Sequence, residues 1–116
     1  MADTVNDAPV WARTIINAHL AVCDAVSHSA RLSSDRYFVW QEDGRNDLIS
    51  GDGPAETAVT GTTDLFTKQE FEPWAAALER ELTAAGIWWY LNSVAYEPET
   101  GFYHYEWVWE VCCGEV

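Results

Sequence analysis

Trp11, Ile15, Ala18, Val22 and Val26 recur at spacings of four, three, four and four residues, which lays one apolar stripe along a helix. Asp7, a side-chain cap, and Pro9, with its pre-set φ, predict where that helix starts. The turn residues Ser33-Ser34-Asp35 predict that it has faded by His28 to Ser29. The β-branched and aromatic run Tyr37-Phe38-Val39-Trp40 predicts a strand over 36–42. A second strand over 57–67 follows from Thr57, Val59, Thr60, Thr62, Thr63 and Phe66, with Gly61 as a bulge and the first strand as its partner. Between them Asp43-Gly44 and Gly51-Asp52-Gly53-Pro54 stand among Glu42, Asp47 and Glu56 with one Arg45, and predict an acidic, mobile loop over 43–56.

The second half carries sharper boundary signals. Thr67 and Glu70 have capping-box spacing, and Phe66 and Phe71 the spacing of a hydrophobic staple. Phe71, Trp74, Ala75, Leu78, Leu82 and Ala85 then repeat with helical period, and Gly86 closes the helix. Pro73 conflicts with a cap at Thr67, so the regular helix starts at Pro73 or has a distorted first turn. Ile87–Tyr96 and Phe102–Cys112 predict two antiparallel strands joined by Glu97-Pro98-Glu99-Thr100-Gly101. In the last strand Tyr103, Tyr105, Trp107, Trp109 and Val111 alternate with His104, Glu106, Val108 and Glu110, one packed face and one largely polar. The expected fold is a single α+β domain over 1–116: two helices and a four-stranded, mostly antiparallel or mixed sheet, in the order α-β-β-α-β-β.

Charge narrows the possible partners. Six Lys and Arg stand against nineteen Asp and Glu, a formal net charge of −13, and the cations are scattered singly. Such a chain has no electrostatic footprint for specific nucleic-acid binding or for an anionic membrane. No apolar run reaches the length of a membrane span, and the N-terminus lacks the basic and apolar regions of a secretory signal. Cys23 stands alone and Cys112 and Cys113 are adjacent, so neither a zinc site nor a disulfide framework is expected.

Catalytic chemistry has thin support. His104-x-Glu106 with Glu110 on the same strand face could offer a nitrogen and oxygen metal set, but the pattern also fits a polar face turned to solvent or to a neighbouring subunit, and we read it so. His19 and Cys23 sit four apart on the first helix with no third orienting group, so Cys23 is read as a small hydrophobe. Asp47, Asp52 and Glu56 lack the spacing of a calcium loop. No enzyme activity, cofactor or metal is expected. Trp88 and Trp89 are consecutive, so both faces of that strand carry a large aromatic, and a face not covered within the chain would be a contact surface. The candidate subunit or partner interface is Trp88, Tyr90, His104, Glu106 and Glu110 with Asp43, Asp47 and Asp52 from the acidic segment.

From Tyr37 to Val111 the chain resembles the tail-completion, or tail-terminator, proteins of long-tailed bacteriophages and prophages. The resemblance rests on Asp64-Leu65-Phe66-Thr67 entering the second helix, on the Leu78 to Gly86 run ending Ala-Ala-Gly, and on Tyr96-Glu97-Pro98-Glu99-Thr100-Gly101-Phe102-Tyr103-His104 in the final hairpin. The element order agrees, whereas the proline common before the first strand is missing from Ser33-Ser34-Asp35-Arg36. The resemblance implies a structural virion protein that assembles with itself into a ring, typically a hexamer. Such a ring joins the major tail-tube protein to a head-completion protein, in a virion built in the bacterial host cytoplasm. Acidic residues fringing such a ring would repel DNA in transit. The alternative from charge alone is an acidic DNA mimic that inhibits a nucleic-acid-binding enzyme.

Overall fold

The computed structural model describes residues 8–50 and 53–112, and the side chains among them outside 45–57. Its elements are α1 (Val10–Leu20), β1 (Val26–His28), β2 (Arg36–Ser50), β3 (Gly53–Thr67), α2 (Pro73–Ala84), β4 (Trp88–Glu97) and β5 (Phe102–Cys112). The fold is α+β, and the sheet is mixed with five strands in the order β1-β2-β3-β5-β4. The order α-β-β-β-α-β-β therefore has one strand more than the sequence pattern predicts.

That strand comes from the tail of the expected first helix. Pro9 takes the cap position (the expected cap, Asp7, lies outside the described residues), and α1 ends at Leu20. The last turn tightens as the Val22 N–H donates to the His19 carbonyl. Val26, expected on the helical stripe, instead opens β1, which runs parallel to β2 with Val26 opposite Phe38 and His28 opposite Trp40. The connection 29–35 is short for a parallel crossover. It suffices because β1 has three residues and Ser29 turns the chain with φ 67°.

The acidic segment is the outer part of a hairpin. Gly44 pairs with Thr60, Arg45 with Val59 and Ser50 with Gly53, so the residues of 43–56 expected in a loop lie in β2 and β3 wherever they are described. A ladder draws on backbone N–H and C=O groups, which Gly and Asp carry like any other residue, so turn-rich composition does not forbid it. The ladder shifts register twice, with Asp43 the extra residue on β2 and Ala55 the extra residue on β3, and neither extra residue is Gly61. Gly61 answers a different need: a Cβ there would stand 2.3 Å from the Trp109 ring and 2.5 Å from the Gln41 carbonyl.

Helix α2 begins where proline allows. Pro73 fits only the first turn, where its missing N–H is not needed, and Glu72 caps the helix by accepting a hydrogen bond from the Trp74 N–H at 3.0 Å. The capping box and staple expected from Thr67, Glu70, Phe66 and Phe71 do not form there. The Thr67 hydroxyl accepts from the Gln69 N–H, and Phe71 is 86% exposed. At the other end Gly86, at φ 75°, donates to the Thr83 carbonyl and Ile87 to that of Leu82, which satisfies two terminal carbonyls.

Both helices pack on one face of the sheet. Ile15 of α1, Leu78 and Leu82 of α2, and Phe38, Leu65, Trp107 and Trp109 of the strands are fully buried in one cluster. The alternation expected in β5 holds, with Trp107, Trp109 and Val111 buried against the helices and His104, Glu106 and Glu110 on the opposite face.

Candidate functional site

Pairing register decides which residues share the face away from the helices. Trp88 stands opposite Glu110 and Tyr90 opposite Val108, while Asp64 stands opposite Glu106 and Phe66 opposite His104. Trp88, Tyr90, His104, Glu106 and Glu110, five residues marked in the sequence, therefore lie on one outer face. Asp43 joins them, because its carboxylate accepts a hydrogen bond from the Thr62 hydroxyl at 2.6 Å and Thr62 pairs with Val108. Asp47 lies in β2 with its side chain outside the described residues, and Asp52 lies outside them entirely.

Trp88 is 59% exposed and meets Tyr90 edge-on with ring centroids 5.4 Å apart. Trp89 points the other way, packs on the core and donates its indole N–H to the Thr83 hydroxyl. Both faces of β4 thus carry an aromatic, as consecutive tryptophans on a strand require. Beyond Leu91 the ladder with β5 shifts register around Asn92, whose side-chain amide donates to the Glu106 carboxylate at 2.6 Å. The shift keeps Leu91, Val94 and Tyr96 on the helix side of the sheet, and all three are exposed.

His104 is held between two carboxylates. Its Nε2 lies 2.7 Å from Asp64 and its Nδ1 3.7 Å from Glu97, and the ring stacks on Phe66. The hydrogen bond to Asp64 raises the His104 pKa above the ordinary imidazole value, against the lowering effect of partial burial. At this end the outer face is closed over: Tyr37, Val39 and Phe66 are buried, Arg31 lies 4.1 Å above the Phe66 ring, and Lys68 lies over Phe102. The exposed large apolar side chains of the outer face are Trp88 and Tyr90.

Two buried polar assemblies have no counterpart in the sequence pattern. His19 is fully buried, with Nδ1 2.7 Å from the Ile15 carbonyl and Nε2 2.9 Å from the Thr63 hydroxyl, which also accepts the Trp109 indole N–H at 2.9 Å. Burial lowers the His19 pKa to about 4, more than the bond to Ile15 raises it. Both ring nitrogens are occupied, so His19 and Cys23 do not act as a pair, and burial pushes the Cys23 thiol pKa up. The second assembly is Arg36, which grips Glu72 through two hydrogen bonds of 2.6 and 2.5 Å and stacks 3.8 Å above the Trp74 ring. Burial pushes the Glu72 carboxyl up, but the bonds from Arg36, the Trp74 N–H and Thr67 outweigh it and hold the carboxyl below the ordinary value. Arg36 and Glu72 stand 36 residues apart in the chain, so no local pattern signals the pair.

An open apolar cleft of about 430 Å³ lies beside α1 and β1, with Trp11, Ile16 and Leu20 on its wall and His28 and Glu42 at its rim. Those two are bonded to each other at 2.7 Å. Among the described residues no group of three or more His, Cys, Asp or Glu is placed to hold a metal ion. No protein-family model matches the chain, and no curated protein matches it.

Proposed function

We propose that the protein is a structural virion component, a tail terminator or head-to-tail joining subunit that caps a phage tail tube as an oligomeric ring, most simply a hexamer. In this role it meets the major tail-tube protein on one side and a head-completion protein on the other, performs no catalysis and resides in the tail or neck. The observation that carries the reading is the final hairpin. The run from Tyr96 to His104 that resembles that family forms the β4–β5 turn, and the strands it joins carry the exposed aromatics and carboxylates of the outer face. Exposed aromatics at a sheet edge are the composition of an assembly contact. On the same face Asp64 is bonded to His104 and Glu106 to Asn92. The acidic residues are spread over α2, both hairpins and the connections between elements rather than set in one row of phosphate-like spacing, so the DNA-mimic alternative ranks second.

The test is direct. Negative-stain imaging and sedimentation with a phage major tail-tube protein should show rings seated on tube ends. A chain that never binds or caps tubes at any stoichiometry would remove the proposal.

A further inference from the structure

We infer that the free edge of β4 receives an extended, basic segment of a partner protein, added as a sixth strand whose Arg or Lys side chains alternate with apolar ones. The inference rests on this edge alone and does not depend on the tail role.

The edge is open in a way that sheets usually avoid. Strand β4 has ten residues and pairs only with β5, so among the described residues its other side offers a row of backbone donors and acceptors. Edges are commonly blunted by short length, by Lys, by Pro or by a bulge, and of these β4 has only the last, at Asn92. The opposite edge obeys that rule, since β1 has three residues. Trp88 to Tyr96 contains neither a charge nor a proline.

An added strand presents alternate side chains to the two faces of the sheet. On the outer face it meets Trp88 and Tyr90, with Glu110 opposite Trp88 and Glu106 further along β5. Aromatic rings bordered by carboxylates recognise Arg and Lys, through the ring face and the charge together. On the helix side it meets the exposed Leu91 and, past the register shift at Asn92, the exposed Val94 and Tyr96, which call for apolar partners. The molecule itself stacks cations on aromatics in this manner, with Arg31 over Phe66, Arg36 over Trp74 and Lys68 over Phe102.

Charge selects the occupant. A second copy pairing β4 against β4 would bring Glu106 and Glu110 toward their own equivalents, on a chain of net charge −13, and β4 carries no cation to answer them. A basic strand supplies what a second copy lacks.

The experiment uses the full chain and an acetylated ten-residue peptide of alternating Arg and Val, with two controls: alternating Glu and Val, and five Arg followed by five Val. Amide hydrogen exchange and Trp fluorescence report binding. The alternating Arg/Val peptide should slow exchange along 88–97 and bind at least about tenfold more tightly than the block peptide, with no binding by the Glu/Val peptide. The double substitution Trp88→Ala and Tyr90→Ala, at exposed positions, should lower affinity by about tenfold, and Val94→Lys on the other face should lower it independently. Equal binding of the alternating and block peptides would reduce the effect to attraction of any polycation and overturn the inference. Protection of 88–97 that rises with protein concentration and needs no peptide would overturn it in favour of a second copy.

Discussion

Lowering the pH should destabilise this protein through one buried imidazole. The Ile15 carbonyl can only accept, so His19 Nδ1 carries the hydrogen and Nε2 accepts from the Thr63 hydroxyl, whose oxygen in turn accepts from Trp109. Every group in this chain is satisfied with a neutral ring. Protonation adds a hydrogen at Nε2 facing the Thr63 hydroxyl and places a charge where the side chain has no access to water. The folded pKa of about 4 lies about 2.5 below the ordinary imidazole value of 6.5, which at about 1.4 kcal/mol per unit corresponds to roughly 3.5 kcal/mol in full. The sign follows from proton counting. Between these two pKa values the unfolded chain binds the proton and the folded chain does not, so this stability is complete above pH 6.5 and is lost as pH falls through 4. At pH 5 about 2 kcal/mol should already be gone. Urea unfolding of the native protein and of His19→Leu, followed from pH 7.5 to pH 5, isolates the contribution from those of the other titrating groups. Leu leaves the Thr63 hydroxyl without its acceptor and should cost about 1–3 kcal/mol at neutral pH, but its stability should fall less steeply with acid, by the same 2 kcal/mol or so. Parallel curves for the two proteins would refute the reasoning.

Three further outcomes follow from the packing and ion pairs. Gly61→Ala forces a methyl into the Trp109 ring and the Gln41 carbonyl, and Trp109 cannot tilt away without breaking its bond to Thr63, so thermal unfolding should show a loss of about 2–3 kcal/mol despite the entropy that Ala removes from the unfolded chain. Glu72→Ala strips the helix cap and leaves Arg36 without its carboxylate, and chemical denaturation should register about 2–3 kcal/mol, with Glu72→Gln retaining part of the cap. Because Asp64 raises the His104 pKa, the stabilisation from His104 is present below the unfolded imidazole value and lost as pH rises through the folded one. NMR titration should find the His104 midpoint lowered in Asp64→Asn.

Much of this fold was legible because its signals are local. The period of two in β5, the helical period from Trp74 to Leu82 and the glycine that ends α2 each concern residues that act within a few positions of one another. What escaped depends on neighbours distant in the chain. No Gly or Pro interrupts 20–26, and Val22 and Val26 continue the stripe of α1 at helical spacing, so β1 is visible only once Phe38 to Trp40 stands beside it. The Gly- and Asp-rich outer arms of β2 and β3 form strands because each supplies the other with a ladder. The candidate interface was recoverable in part, since alternation alone put His104, Glu106 and Glu110 on one face. Its union with Trp88 and Tyr90 required the register across β4 and β5. The partner of His19 was not legible from its helix, because Thr63 lies 44 residues away on a strand.

The seam between β3 and β5 sets the order in which this chain can assemble. The hairpins β2–β3 and β4–β5 each close through nearby residues, whereas Ala58 must find Cys112 and Thr67 must find Tyr103 across the whole of α2 and β4. Closing loops of that length costs entropy that only the finished contacts offset, so the two hairpins are expected to form first and dock afterwards. Thr63 belongs to one hairpin, Trp109 to the other and His19 to α1, and a single hydroxyl joins all three. Refolding followed by the Trp109 indole should therefore lag behind the appearance of strand structure, so that one tryptophan marks the moment when three separately formed pieces become one molecule.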